Sequence, residues 1–315
     1  AQVKERVNDI INNLKKFNPD IFVTELFPFG RENNIPELLT TLKYIKNNMP
    51  NVKIYASIGY PIISVKVNKL FEIIDYYDKI FIHCPKELDF EEIKLNLKND
   101  NFEDPHIKYE EYSKIFEQIK EKVMFTGYVF QNKIVNNTKS DFILISRGAG
   151  AVHPKIITTA IKTAKLMPNE KFKIVYGPSS SEKEEKIFLS LSKNVDNVEL
   201  IKSTNNMQGL IKNCKLSVSM SGYNTSIETL FHQTKNILIP RVKIEGYHSI
   251  EQMYRALLMK KITNSTILDY RTLTPEILAE SIRSKENEVN NIQINHMWFN
   301  GGEITKNFIE SHLKL

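Results

Sequence analysis

The sequence is poor in the residues that bend, cross-link or loosen a chain. Its 315 residues include 11 glycines, 12 prolines and 2 cysteines. So few glycines and prolines exclude a collagen-like chain and a long flexible linker. Two cysteines exclude a disulfide scaffold and do not support a zinc site. Because Cys84 and Cys214 lie beside apolar runs, we expect both to be buried free thiols.

Long apolar runs and dense basic clusters are also missing. No window of 18 apolar residues occurs, so the sequence predicts no membrane-spanning helix. Residues 1–17 are typical of an amphipathic helix and not of a signal peptide, which predicts a cytoplasmic protein. The net charge of +6 is scattered along the chain, and this argues against a nucleic-acid partner. A weak peripheral contact with an anionic membrane surface stays open.

What the sequence does contain is an alternation of strand-length apolar runs with helical periods. Hydrophobic residues make up 41% and charged residues 25%, as in ordinary soluble proteins. The alternation runs to about residue 130, pauses in the polar stretch 131–140, a candidate linker, and restarts at 141. Strands separated by helices favour parallel sheets. We therefore predict an α/β protein of two Rossmann-like, doubly wound domains, over 1–132 and 133–315.

The segment Ser219–Glu228 is the most informative in the sequence. A predicted strand ends there in Ser-Gly, and a helix follows at once. One interpretation is a phosphate site, in which Gly222 lets the backbone approach a ligand, the helix start binds phosphate and Glu228 accepts from a ribose diol. The other is a capping box, in which Thr225 and Glu228 only close the helix start. The spacing alone favours the capping box.

A second strand-to-helix turn carries the string Ser146–Gly150, with glycines at 148 and 150. A Gly-x-Gly at such a turn indicates a phosphate loop, although the full Gly-x-Gly-x-x-Gly pattern is absent. Arg147 fits two interpretations equally well, a bidentate partner of a diphosphate or an ordinary surface arginine.

Four strings resemble motifs of a family of predicted bacterial glycosyltransferases. They are Pro19–Arg31, Tyr76–His83, Phe125–Val129 and Ser221–Thr225, and they occur in the family's order. Thr-Glu-Leu-Phe-Pro-Phe-Gly-Arg in the first and Gly-Tyr-Asn-Thr in the last are the specific strings. That family is similar to the N-acetylglucosaminyltransferase that makes the lipid-linked peptidoglycan precursor. The resemblance covers nearly the whole chain.

The resemblance implies a GT-B fold, with a nucleotide-sugar donor on the C-terminal domain and a last helix that crosses back onto the N-terminal domain. It implies that the turn at Ser221 meets the diphosphate, that Glu228 binds the ribose and that Gln252 contacts the donor sugar. Backbone near Ser203 would bind the base. The predicted donor-binding residues are Arg147, Gly148, Gly150, Ser203, Ser221, Gly222, Tyr223, Asn224, Thr225, Glu228, Glu251 and Gln252.

The sequence departs from the family at its start. Relatives begin with a strand and a glycine-rich loop that carries a histidine, whereas here the first predicted strand, at 20–27, resembles a middle strand. We therefore expect an N-terminal domain without its first strands, either in a truncated chain or in one that a second chain completes. Such a sheet would leave an edge unpaired.

The acceptor side carries weaker signals, and no catalytic base is identified. Glu25, at the end of a predicted strand, is a candidate base or hydroxyl-binding residue, and a solvated loop carboxylate is the ordinary alternative. Arg31 would bind an anionic acceptor or simply face water. The other acceptor-side candidates are Phe29, Gly30 and Ser57.

Lone histidines and aromatic residues each have two interpretations. His83 lies inside an apolar strand, where a hydrogen-bonded core residue is expected. His153 is a second lone histidine. His248 precedes the helix of Gln252, and a contact of His248 with the donor is the less favoured interpretation. Several aromatic residues near strand ends would line a sugar or lipid groove or pack in the core; these are Phe27, Phe29, Tyr60, Tyr76 and Tyr77.

Together these features predict an inverting glycosyltransferase of hexosyltransferase type. It would move a sugar from a nucleoside diphosphate, in the first place UDP, to an unknown acceptor hydroxyl. The nucleotide sugar is then a substrate, and no cofactor is expected. No Asp-x-Asp string is present, so no metal is expected either. The alternatives are a GT-B epimerase or hydrolase, and a non-catalytic donor-binding subunit or pseudoenzyme.

Overall fold

The computed structural model describes residues 2–59, 67–88, 116–132, 140–150, 153–241, 250–290 and 292–313. The chain divides into a first unit, Ala1–Val129 with Met297–Leu315, and a second unit, Phe130–His296. Tyr60, His248 and most of the predicted linker 131–140 lie outside the described residues. The assignment of an acceptor side and a donor side to these parts of the chain stays a prediction.

The first unit is built on a parallel sheet, of which four strands are described. In spatial order they are β1 (Ile21–Glu25), β2 (Lys53–Gly59), β3 (Lys79–His83) and β4 (Val123–Phe125). Helices α1 (Gln2–Phe17), α2 (Ile35–Asn48) and α3 (Val67–Ile74) belong to the same unit. In β2 the consecutive residues Ile54, Tyr55 and Ala56 are all buried, as expected for a parallel strand that is covered on both faces.

The second unit has a larger parallel sheet, with six strands among the described residues. They are β5 (Ile143–Ser146), β6 (Phe172–Val175), β7 (Val198–Ile201), β8 (Leu216–Ser219), β9 (Asn236–Leu238) and β10 (Thr266–Ile267). The helices are α4 (Lys155–Leu166), α5 (Glu182–Ser192), α6 (Met207–Asn213), α7 (Tyr223–Phe231), α8 (Ile250–Thr263) and α9 (Pro275–Asn287). The prediction of two Rossmann-like α/β domains is confirmed.

The order of the second sheet reverses between β5 and β8. The spatial order is β10-β9-β8-β5-β6-β7, so the chain winds outward from β5 in one direction and from β8 in the other. Ser146 and Ser219, the last residues of β5 and β8, are register partners. Ligands of doubly wound sheets bind beyond the carboxyl ends of the strands at such a reversal. The ends of β5 and β8 are therefore where the chemistry of this unit is expected.

Local sequence accounts for many of the elements. The apolar run in β5 is completely buried and packs with β6 and β8 in the core. Ser181 and Glu184 close the start of α5 in a reciprocal capping box. Cys84 and Cys214 are buried free thiols, as predicted. Among the described residues, no helix has the length and apolar character needed to cross a membrane.

The last helix, α10 (Gly301–Leu313), packs on the first unit. The ring of Phe308 lies 6.0 Å from that of Tyr55 and 5.4 Å from that of Phe81. At the start of α10, a Cβ on Gly301 would overlap the carbonyl oxygen of Gly127. Glycine is therefore required for the close backbone contact that holds this helix.

Candidate functional site

The turn between β8 and α7 brings a helix start to the carboxyl edge of the second sheet. Gly222 is the N-cap of α7, and no side chain caps this helix start. The first N–H groups of a helix lack helical partners and carry the positive end of its dipole. A Cβ built on Gly222 would meet no atom within 4 Å, so open space borders the helix start. The geometry suits an anionic ligand.

Two buried hydroxyl groups lie at the same reversal of the sheet. Ser146 and Ser219 are each 1% exposed, and neither Oγ has a hydrogen-bond partner among the described residues. Buried polar groups in native proteins are nearly always paired. The two hydroxyls therefore indicate a polar ligand or a bound water next to β5 and β8.

Thr225 and Glu228 do not form a capping box. Because α7 begins at Tyr223, Thr225 already lies within the helix, and its carbonyl oxygen accepts a bond from Thr229 Oγ1 at 2.6 Å. The carbonyl oxygen of Glu228 likewise accepts from the N–H of His232 at 3.0 Å. The capping interpretation that the spacing favoured is wrong, and the half-buried Glu228 is not needed to close the helix.

A buried arginine, Arg255, fastens the turn to α8. Its Nη1 donates to the carbonyl oxygen of Ser221 at 2.6 Å, and its Nη2 donates to Glu251 at 2.7 Å. The guanidinium lies 5.6 Å from the ring centre of Tyr223. The sequence analysis did not single out Arg255. The available signal was its spacing. Arg255 follows Gln252 by three residues and Glu251 by four, so the three side chains lie on one face of a helix.

Ser221 and Gln252 are also used to hold α8 against this turn. Ser221 Oγ donates to the carbonyl oxygen of Gln252 at 2.5 Å. The side-chain oxygen of Gln252 accepts from the backbone N–H of Arg241 at 2.8 Å. The resemblance implied that this turn and Gln252 meet the donor. In the structure both side chains bond to the protein backbone, and they position the turn.

Arg147 is not the surface arginine that one interpretation expected. Its side chain is 0% exposed, and it lies over the ring of Phe188. Nε donates to the carbonyl oxygen of Tyr176 at 2.6 Å, Nη1 to Glu184 at 3.1 Å and Nη2 to Ser180 Oγ at 2.6 Å. All three nitrogens are bonded within the protein. The geometry favours a structural role for Arg147 over a diphosphate contact.

The glycines beside Arg147 shape the loop at the end of β5. Gly148 has a φ of +79°, and a Cβ there would meet nothing within 4 Å. Gly177 has a φ of +92°, and a Cβ built on it would lie only 2.5 Å from the carbonyl oxygen of Gly148. The loops after β5 and β6 are thus packed together, and they leave Gly148 and the exposed Gly150 next to open space.

His153 is a second residue of this edge to which the sequence analysis assigned no role. It is 7% exposed, its ring lies 4.3 Å from that of Tyr270, and its Nε2 has no hydrogen-bond partner among the described residues. Burial lowers the pKa of His153, and the positive charges of Arg241 and Arg147 lower it further. Arg241 therefore lies close to His153 near the ends of β5 and β9, whereas the charge of Arg147 is already compensated by Glu184.

The remaining donor-side candidates lie at the same edge. Asn224 is exposed, and Tyr223 and Thr225 are half-buried, in the first turn of α7. Ser203 is exposed and follows β7, which is an edge strand two places from β5.

The acceptor-side candidates lie at the carboxyl edge of the first sheet. Glu25 and Arg31 are exposed and form an ion pair of 2.7 Å, so Glu25 is a solvated carboxylate with a partner. Gly30 is half-buried, whereas Phe29 is 6% exposed. Burial favours core packing over groove lining for Phe29, and the same holds for Phe27.

Ser57 contacts a histidine at this edge. Ser57 Oγ lies 2.8 Å from Nε2 of His83, and Nδ1 of His83 lies 2.9 Å from Thr126 Oγ1. Burial lowers the pKa of His83 to about 4. The expectation that His83 is a buried, hydrogen-bonded residue agrees with this geometry.

Known proteins share the second unit's sequence pattern and the fold of the chain. Residues 142–297 match the family model of the glycosyltransferase family 28 C-terminal domain. No curated protein sequence is similar enough to match. Three solved structures resemble the chain. Acinetobacter baumannii MurG is 10% identical with a TM-score of 0.53, and the match covers 97% of this chain and 80% of MurG. S. aureus MnaA, in a co-structure with UDP, and the spinosyn rhamnosyltransferase SpnG are each 12% identical with a TM-score of 0.60; the matches cover 99% and 100% of this chain and 79% of each of those chains.

Identities this low establish the fold alone, whereas the family match rests on sequence. The chain therefore has the GT-B fold, and its residues 142–297 match the glycosyltransferase family 28 C-terminal domain, which confirms the resemblance that the motifs predicted.

Proposed function

We propose that the protein transfers a sugar from a nucleoside diphosphate to an acceptor hydroxyl with inversion of configuration. The observation that carries the proposal is the uncapped start of α7 at the reversal of the second sheet. The family match of residues 142–297 supports sugar transfer as the class of reaction.

The diphosphate would bind to backbone at the ends of β5 and β8. As the sugar leaves, the diphosphate gains negative charge, and N–H groups that are already oriented stabilise that charge without reorganising. Gly222 and Gly148 border open space where these groups are needed. The guanidinium of Arg241, which follows β9, adds positive charge to this field. This backbone and charge supply the stabilisation that a metal ion supplies elsewhere, so we propose a metal-independent reaction.

UDP is the proposed nucleotide. MnaA was solved with UDP, and SpnG was solved with thymidine diphosphate, so structures of this fold hold nucleoside diphosphates that differ in the base. The acceptor hydroxyl would attack the anomeric carbon on the side opposite the leaving diphosphate, which inverts the configuration. Acceptor binding is proposed for the first unit.

Replacing Gly222 with serine should weaken UDP binding about tenfold or more without loss of stability. Serine is a favourable N-cap residue, and its side chain would enter the open space proposed for the diphosphate. Calorimetric titration of the full chain with UDP, next to a thermal melt, measures both effects. Gly302→Ser is the matched control, because a Cβ on Gly302 also meets nothing within 4 Å but lies on α10. Equal UDP affinity in the two variants would contradict the site.

Replacing Glu228 with glutamine should also weaken UDP binding, by about 1.5–3 kcal/mol or roughly tenfold to a hundredfold. An ionised carboxylate makes stronger hydrogen bonds to a ribose diol than a neutral amide does. Glu228 does not cap α7, so fold stability should barely change. The same titration with UDP and with uracil alone separates ribose contacts from base contacts. Unchanged UDP affinity would remove Glu228 from the ribose site.

A further inference from the structure

The turn that begins α7 is contacted on both sides of Gly222 by one buried guanidinium, that of Arg255 on α8. Nη1 of Arg255 donates to the carbonyl oxygen of Ser221 at 2.6 Å. The central carbon of the guanidinium lies 5.6 Å from the ring centre of Tyr223. Ser221 and Tyr223 are the residues before and after Gly222, so Arg255 holds the turn at both of its ends.

The peptide unit between Ser221 and Gly222 is bonded within the protein at both of its polar groups. Its carbonyl oxygen accepts from Arg255, and its N–H donates to the carbonyl oxygen of Met220 at 2.8 Å. Because a trans peptide is planar, its carbonyl and its N–H point in opposite directions, and two bonds fix its orientation. Ser221 is 0% exposed, so its carbonyl oxygen is held in the interior of the second unit.

The N–H groups that are suited to a ligand are the next ones along the chain. The first helical bond of α7 runs from the N–H of Ser226 to the carbonyl oxygen of Gly222, at 3.0 Å. The N–H groups of Asn224 and Thr225 come before it, and N–H groups at such positions have no helical acceptor. Asn224 is exposed and Thr225 is half-buried, so a ligand can reach this part of the helix start. The direction of these N–H groups depends on the peptide unit that Arg255 holds, because that unit leads directly into the helix.

Arg255 itself is poorly placed to contact a ligand. Its Nη2 donates to Glu251 at 2.7 Å, and its Nη1 is bonded to Ser221. The side chain of Arg255 is 3% exposed, whereas that of Glu251 is 49% exposed. A guanidinium that is buried and bonded in this way acts on a diphosphate through the turn and not by contact.

We infer that Arg255 is a positioning residue of the donor site, which holds the turn so that the diphosphate meets N–H groups and not the carbonyl oxygen of Ser221. This inference rests on the proposed function and adds a residue to it. A carbonyl oxygen carries partial negative charge and repels a diphosphate, whereas the N–H groups of a helix start attract one. Loss of Arg255 should therefore weaken the contacts to the diphosphate and spare the contacts to the nucleoside.

The decisive variants are Arg255→Met and Arg255→Lys in the full chain, titrated with UDP and with uridine, which lacks the diphosphate. We expect Arg255→Met to lower the affinity for UDP about tenfold or more and to leave the affinity for uridine unchanged. Lysine keeps the positive charge but not the fork of donors, so Arg255→Lys should lower the affinity for UDP less, by about threefold. Arg283→Met is the matched control and should leave both affinities unchanged, because Arg283 also donates to a carbonyl oxygen, that of Leu166, but is exposed on α9.

The ratio of the two affinities separates positioning from a merely structural role. A structural role would lower the affinities for UDP and uridine together, through loss of folded protein. An equal loss for the two ligands in Arg255→Met, or an unchanged affinity for UDP, overturns the inference. If Arg255→Met does not fold, an unchanged ratio in Arg255→Lys overturns it.

Two measurements on the wild-type protein need no variant to fold. A wild type that binds UDP no more tightly than uridine contradicts the proposed diphosphate site, and the inference fails with it. In a crystal structure with UDP we expect the phosphate oxygens next to the N–H groups of Asn224 and Thr225, with the carbonyl oxygen of Ser221 still bonded to Arg255. A phosphate oxygen bonded to Arg255 itself would overturn the inference and leave the proposed function intact.

Discussion

Replacing Glu184 with alanine is expected to destabilise the second unit by about 3–5 kcal/mol. Glu184 is the anionic partner of Arg147, whose side chain is 0% exposed. Removing one member of a buried pair leaves the other charge without compensation in a medium of low polarity. Burial raises the pKa of Glu184, but hydrogen bonds from Arg147 and Ser181 outweigh it and lower the pKa overall, so the carboxylate is charged at neutral pH.

Two further variants separate the ion pair from the helix cap. Glu184→Gln keeps the capping box with Ser181, because glutamine is accepted at that position, but removes the negative charge. The free energy of unfolding of Glu184→Gln should therefore lie between those of the wild type and of Glu184→Ala. Glu182→Ala changes an exposed glutamate in the same helical turn and should cost no more than about 0.5 kcal/mol.

Urea unfolding followed by circular dichroism measures these differences. Trp298, the single tryptophan of the chain, lies in the first unit, so its fluorescence distinguishes unfolding of that unit from unfolding of the second. A Glu184→Ala variant as stable as Glu182→Ala would show that Arg147 does not depend on this pair. Arg147 would then return as a candidate for diphosphate binding.

Acidification should destabilise the first unit by about 3 kcal/mol through His83 alone. Burial lowers the pKa of His83 from 6.5 to about 4 in the folded protein. Between these two values the unfolded chain binds a proton that the folded chain does not, so unfolding is favoured as the pH falls. The stabilisation is complete above pH 6.5 and is lost progressively down to about pH 4.

Trp298 fluorescence during urea unfolding at several pH values measures this effect in the unit that contains His83. In His83→Gln the free energy of unfolding should be lower at neutral pH and should lose its dependence on pH between about 6.5 and 4. His312→Gln, which changes an exposed histidine of α10, should keep the wild-type slope. The same slope in wild type and His83→Gln would mean that His83 is not held neutral by burial.

Elements with a local cause could be predicted from the sequence. The strands and helices of the second unit follow apolar runs and helical periods that lie within one short segment. The capping box of α5 needs only Ser181 and Glu184, which are three residues apart. The same local argument misled at Thr225 and Glu228, because an identical spacing does not specify where a helix begins. The start of α7 at Tyr223 depends on where the chain leaves β8.

The candidate site shows the same division. Gly222 and Glu228 could be singled out because strand, turn and helix are consecutive in sequence. Arg147 could not be interpreted, because its partners Tyr176 and Glu184 are 29 and 37 residues away.

The sequence by itself determined two α/β domains, the family resemblance and a phosphate-type turn at the end of β8, because each depends on residues near one another in the chain. Only the tertiary structure decided which polar groups are already bonded within the protein. Parallel strands that are distant in sequence end at one edge of a sheet, and this places Ser57, His83 and Thr126 in one hydrogen-bonded chain. The fold also directs Arg255 toward Ser221 and leaves Gly222 beside open space. Which charges are paired, and which polar groups lose contact with water at a sheet edge, depends on the whole folded chain and not on any one segment.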